Sequence, residues 1–123
     1  MPEPAVLVFE KRPRWTPELR RQFADENVRI RGCRSTGDAA LFLRESPLCV
    51  VVIDFEAAPA DSLQFLGRMM DGPSPAPIVV VGTVQSAELE WSIRELGAAA
   101  FLRECYSGSE LARLCRRQFA AES

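Results

Sequence analysis

The chain has no histidine, no glycine-rich phosphate loop, no long apolar run and no strong charge of either sign. Without histidine the commonest general base near neutral pH is missing, so a Ser-His-Asp or Cys-His hydrolase is excluded outright. Neither a G-x-G-x-x-G nor a P-loop run occurs, which argues against an unrelated small α/β enzyme or ligand binder. Four cysteines are present, Cys33, Cys49, Cys105 and Cys115, but none stands in a C-x-x-C pair. With no histidine to complete a zinc site, no structural metal is expected. Cys49 opens an apolar run and Cys115 lies beside Leu111 and Leu114, the setting of reduced thiols that pack as small hydrophobes. No segment approaches the ~18 apolar residues of a membrane span, and "MPEPAVLVFEKR" has no basic region ahead of its apolar stretch. The net charge of −2 lacks the basic balance of a nucleic-acid binder. A soluble, cytoplasmic protein with no membrane or nucleic-acid partner is the expectation.

What is there is a core. At 123 residues and 47% apolar composition, the chain reads as one globular domain, residues 1–123. The carboxyl end "RRQFAAES" has no linker composition, which favours a complete small protein. Four continuous apolar runs dominate: "AVLVF" (Ala5 to Phe9), "CVVVI" (Cys49 to Ile53), "PIVVV" (Pro77 to Val81) and "AAAFL" (Ala98 to Leu102). Unbroken apolar character suits parallel strands covered on both faces. "VRIRGC" (Val28 to Cys33) alternates instead and suits a more exposed edge strand.

Helical segments fall between these runs. "WTPELRRQFADE" offers Thr16 as N-cap, Pro17 at the first helical position, and Leu19 and Phe23 on one face. "STGDAALFLRES" opens with Ser35 and Asp38 in capping-box spacing. "DSLQFLGRMMDG" places Leu63, Leu66 and Met70 on one face and stops at Gly72 and Pro73. "SAELEWSIRELG" aligns Leu89, Ile93 and Leu96 and ends at Gly97. "SGSELARLCRRQFA" repeats the pattern with Leu111, Leu114 and Cys115. A strand followed by a helix, five times over, implies a three-layer α/β fold: a doubly wound, five-stranded parallel sheet with right-handed crossovers. Sites in such folds form outside the carboxyl ends of the strands. Asp54 stands there, at the end of the third run in "VVVIDFEAAP". It either caps the following turn or is a placed functional group.

The order of motifs resembles the response-regulator receiver domain of two-component signalling, a CheY-like, flavodoxin-like (βα)5 fold, over nearly the whole chain. "VVVIDFEAAPADSLQFL" matches the family's strand-three signature through Asp54, Pro59, Asp61 and Leu63. Ser62 stands where a glycine is usual, and Pro59 lies one residue late. "RESPLCVVVID" and "RELGAAAFLRE" are similar to the neighbouring family passages. The resemblance makes Asp54 the phosphoacceptor position, served in the family by two Mg²⁺-binding acids, a Thr/Ser and a Lys. Here the acid pair falls on Glu10 and Lys11, the Thr/Ser position on Gly82 with Thr83 next, and the Lys position on Glu104, followed by Cys105 in place of proline.

These departures change the chemistry. Mg²⁺ needs oxygen ligands, and Lys11 offers only donors and a positive charge. Glu104 repels a phosphoryl group. Phosphoryl transfer depends on positioning and charge stabilisation, and both are altered. The resulting expectation is an atypical receiver, not an enzyme, that acts as a protein-interaction module without normal Mg²⁺-dependent phosphorylation. No metal or other cofactor is expected, and Glu10 and Asp54 are the weak metal candidates. The alternative is a single-domain response regulator phosphorylated at Asp54, with Mg²⁺ as cofactor. The exchanged charges also suggest that the Lys11 ammonium replaces the cation and pairs with Asp54, Glu10 or Glu104.

Partners implied by the resemblance are a histidine kinase or a downstream signalling protein. The family's partner face, helix four with strand five and helix five, carries Trp91 and Phe101 here and is also a candidate homodimer face. Trp91 lies about 200° from the core stripe of its helix and so points outward, as a hot-spot residue or over a neighbouring element. Trp15 reads as a lid over the site mouth or as core. Arg20, Arg21, Arg113, Arg116 and Arg117 fall on one side, as a solvated face interspersed with acids or as a patch for an acidic partner.

Overall fold

The first apolar run, Ala5–Phe9, forms β1, and all five of its residues are buried. Burial on both faces requires a layer of helices on each side of the sheet, and the rest of the chain supplies them. The computed structural model describes residues 3–56, 58–71, 76–103 and 107–122. In order these form α1 (Trp15–Gln22), β2 (Arg29–Cys33), α2 (Thr36–Glu45), β3 (Cys49–Asp54), α3 (Pro59–Met70), β4 (Ile78–Val81), a 3-10 turn (Val84–Leu89), α4 (Glu90–Glu95), β5 (Ala100–Leu102) and α5 (Gly108–Glu122). The five strands are parallel and ordered β2-β1-β3-β4-β5. The expected architecture is therefore present, with "VRIRGC" as an edge strand.

Alternate residues of the central strands point to opposite layers. Leu7, Val51 and Ile53 face α2, α3 and α4 through Phe42, Phe65, Leu66 and Ile93. Phe9 stacks on Phe65 with ring centroids 4.1 Å apart. On the other face Val6, Val8, Val50 and Val52 meet Trp15, Leu19 and Phe23 of the α1 side and Leu111 and Cys115 of α5. Trp15 is thus core rather than a lid. Cys33, Cys49 and Cys115 are buried, and burial pushes the Cys33 and Cys49 thiols up to about 12. Cys105 and the Gly72–Pro73 stop lie outside the described residues.

Two helices depart from the expected boundaries. α1 begins at Trp15, with Arg14 rather than Thr16 at the N-cap position and Pro17 inside the first turn. The cap comes from elsewhere, as the site geometry explains. Before α4, the chain runs through six residues of 3-10 helix. A 3-10 turn has three residues per turn, so it breaks the 3.6 spacing that would align Leu89, Ile93 and Leu96. Only Ile93 is buried; Leu89 and Leu96 are 39% and 44% exposed.

Gly97 ends α4 with φ +117°, a left-handed conformation open to glycine. A Cβ there would also lie 2.6 Å from Met70 Cε. Gly97→Ala is expected to lower stability by about 1–3 kcal/mol, the usual range for backbone strain. A thermal melt checks this, with a fall of roughly 3–10 °C expected for a domain of this size.

Candidate functional site

The sheet is parallel and its strand order reverses between β1 and β3, so a site is expected in the crevice outside the carboxyl ends of those strands. Glu10 is the first residue beyond β1 and is only 6% exposed. A buried carboxylate must be hydrogen-bonded. Its Oε1 accepts from the backbone N–H of Arg14 (3.1 Å) and of Trp15 (3.0 Å). Its Oε2 accepts from the Thr16 N–H (3.1 Å) and the Thr16 hydroxyl (2.6 Å). Glu10 is thus the cap of α1, reaching across a tight loop to a helix whose own N-cap side chain makes no capping bond. Thr16 Oγ1 in turn lies 3.0 Å from where a Cβ on Gly32 would sit, so the two elements pack closely there.

A carboxylate has about four acceptor positions, and four donors occupy those of Glu10. As a metal ligand Glu10 is a poor candidate for that reason. Among the described residues no group of three or more Cys, Asp or Glu side chains is arranged to hold a metal ion. Thr16, the capping-type residue at the start of the helix, drew the expected cap away from Glu10. The signal was present: Arg14 and Trp15 cannot cap a helix, and Glu10 is the nearest carboxylate upstream.

Asp54 ends β3, in register with Val81, and is half-buried. Burial pushes its carboxyl above the usual carboxylate range; the Arg14 guanidinium opposes the shift, and the negative charges of Glu10 and Glu56 add to it. Lys11 is exposed and makes no ion pair with any described residue, so the expected pairing with Asp54 or Glu10 is not formed. With the Glu10 carboxylate turned into the fold, Lys11 on the neighbouring position is left facing solvent. The third candidate partner, Glu104, lies outside the described residues. Arg14 guanidinium also stacks over the Trp15 ring, 4.4 Å from its centroid.

After β4, Gly82 is buried and Thr83 caps the 3-10 turn: Thr83 Oγ1 accepts from Gln85 N–H (3.2 Å), and Thr83 N–H donates to Ser86 Oγ (2.9 Å). A Cβ on Gly82 would lie 2.6 Å from Phe101 Cζ and 2.5 Å from Ser86 Oγ. The aromatic ring of β5 thus fills the space that a side chain at Gly82 would need. Phe101 is 6% exposed, so it is a core residue and not part of a partner surface, a correction to its expected place. Trp91 does point outward and is 73% exposed; Val84 nearby in sequence is 63% exposed. Glu90 joins α4 to the end of β5 by bonding Arg94 Nε (3.0 Å) and Arg103 Nε (3.1 Å).

The arginine face is partly tied down. Arg116 donates from Nη2 to Glu26 Oε1 (2.5 Å) and from Nε to Glu26 Oε2 (3.2 Å), and it stacks over Phe23, 4.6 Å from the ring centroid. Arg21 pairs with Glu18 on its own helix. These contacts support a solvated, intramolecular role for that side.

No protein-family model and no curated protein matches the chain. Solved structures do match in fold. The receiver domain of the Francisella response regulator 1452 superposes with a TM-score of 0.79 at 17% identity, over 98% of this chain and 99% of that one. The receiver domain of the TMAO respiratory system response regulator TorR gives 0.81 at 13% identity, over 98% and 99%. The signal receiver domain of a Luxo repressor protein from Vibrio parahaemolyticus gives 0.79 at 18% identity, over 97% and 92%. The chain has the receiver fold. No helix among the described residues is long and apolar enough to cross a membrane.

Two tests follow from this geometry. Glu10→Ala leaves three N–H groups and a hydroxyl without their acceptor and should cost about 2–3 kcal/mol by denaturant unfolding. For Asp54, the folded pKa lies above the unfolded one, so the folded state binds more protons in between and loses stability as pH rises through that window. Asp54→Asn should therefore raise the melting temperature at pH 7. The gain should vanish as pH falls below the ordinary carboxyl value of 3.8, where both states are protonated.

Proposed function

We propose that the chain is a receiver-type signalling module that works by binding a protein partner, without Mg²⁺-dependent phosphorylation at Asp54. The observation that carries this reading is the Glu10 carboxylate, whose acceptor positions are filled by the first turn of α1. A Mg²⁺ ion would have to displace those donors, uncapping the helix, and it would meet the Lys11 charge beside it. The phosphoryl-contacting hydroxyl of the resemblance also has no counterpart at Gly82, and Thr83 is engaged in its own turn.

The same residues account for a fixed output. Receiver signalling requires two arrangements of one element, biased by the phosphoryl group. Phe101, the aromatic position of the resemblance, is seated over Gly82, where no side chain competes with its ring. The surface formed by α4 and the turn before it, with Trp91 and Val84 exposed, then has one conformation and binds its partner by complementarity alone. A kinase or a downstream signalling protein is the class of partner, in the cytoplasm.

Intact mass and melting temperature should be measured with Mg²⁺, with and without a small phosphodonor or beryllofluoride. No adduct and no shift are expected. An adduct that disappears in Asp54→Asn would overturn the reading and establish a phosphorylatable response regulator with Asp54 as acceptor. Gly82→Ala tests the seating of Phe101: it should cost about 1–3 kcal/mol, as overpacking of a filled core does. The variant should also raise the exposure of Phe101 to solvent, read by side-chain NMR.

A further inference from the structure

A cavity of about 390 Å³ opens at the point where the strand order reverses, between the end of β1 and the start of α3. Phe9 forms its apolar floor, and Ala58 and Asp61 form the α3 wall. Lys11, Arg12 and Arg34 supply the rest of the lining together with Glu10. Arg34 also stands between this cavity and an adjoining groove of about 460 Å³, lined by Arg20, Thr16 and Asp38 among others. Lys11, the one lysine of the chain, and Arg12 follow β1 directly, and Arg34 follows β2 directly.

The charge balance at this crevice is the notable quantity. Three cations meet there from two loops, and none of them forms an ion pair with a described residue. The ion pairs that are present lie on α1, at the α4 and β5 junction, and between α5 and the chain after α1. Of the two carboxylates lining the cavity, Glu10 is bonded to four donors of its own loop and helix, which offset its charge. Asp61 alone remains opposite three cations. Open α/β sheets bind ligands in this crevice as a rule, and the volume lies in the small-molecule range.

We infer that this cavity binds a small phosphate ester, with Lys11, Arg12 and Arg34 around the phosphate and Asp61 accepting from a hydroxyl or amine of the same ligand. Guanidinium groups suit phosphate because their forked donors match two of its oxygens, and the ammonium adds a point charge. The concave, small-molecule scale of the crevice favours a free metabolite-sized ligand over a phosphorylated chain. No bond is made or broken. Where the receiver resemblance places a metal and a phosphoryl group built on Asp54, this chain would take up a finished phosphate from solution. The inference goes beyond the proposed function, since partner binding stands without it.

Isothermal titration calorimetry with pyrophosphate and with ribose 5-phosphate tests it, at constant ionic strength set with chloride. Saturable binding of both is expected, tighter for the ester if Asp61 takes part. Arg34→Glu and Arg12→Glu should each weaken binding by about tenfold or more, as loss of a charged contact does. Asp54→Asn should bind at least as well as the parent, because it removes a negative charge near the site. Arg117→Glu, an exposed charge reversal on α5, should change nothing. The cations are exposed, so their variants should keep the parent melting temperature. Absence of saturable binding by the parent protein, equal loss in Arg117→Glu, or loss of binding in Asp54→Asn would each overturn the inference. Neither probe phosphorylates an aspartate under these conditions, so the outcome is independent of the phosphodonor experiment.

Discussion

The cap that Glu10 places on α1 is the contact on which the site depends. A carboxylate buried beside a sheet is tolerated only when its charge is answered, and here a helix N-terminus answers it with three N–H groups and a hydroxyl. That contact fixes the path of the loop from Glu10 to Trp15. It brings Trp15 into the core against α5 and seats Thr16 over Gly32 of β2. It also decides where the neighbouring charges go. Because Glu10 turns inward, Lys11 and Arg12 line the crevice, and the Arg14 guanidinium lies over the Trp15 ring.

A parallel sheet built from buried valines sets the stage for this without choosing the chemistry. The central strands need only apolar side chains on both faces, and β1, β3 and β4 supply them. The loops above their carboxyl ends carry the charges, and loops accept substitution without disturbing the layers beneath. One fold can therefore host a metal-assisted phosphoryl site or a cationic crevice, according to which groups stand after β1 and β2. In this chain the groups after β1 are a helix cap and two cations.

The strands and the edge position of β2 were legible because burial on two faces writes an unbroken apolar run and exposure at an edge writes alternation, whereas the topology came only with the resemblance to the flavodoxin-like fold. The position of Asp54 was legible for the same reason, since it ends such a run. The role of Glu10 was legible only as a hint, in the lack of a capping residue at Arg14 and Trp15, because a cap four to six residues away along the chain depends on the geometry of the loop. Phe101 was placed on the surface by resemblance, whereas its burial follows from the missing side chain at Gly82, a contact between two strands. The stripe of α4 misled because a 3-10 turn precedes the helix and resets its phase. Local periodicity assumes one helix type throughout.

Asp54 remains the group whose presence needs a reason. Its burial raises its pKa, so the ionised form weakens the fold at neutral pH, and a neutral isostere would be the more stable choice. Groups that reduce stability in this way are the ones that sites retain for charge. Arg14 is the favourable charge beside it, and Arg14 leaves the same short loop as Lys11 and Arg12. The Arg14 charge favours the ionised Asp54, burial and the charges of Glu10 and Glu56 oppose it, and the balance among these groups over the ends of β1 and β3 sets how readily it ionises.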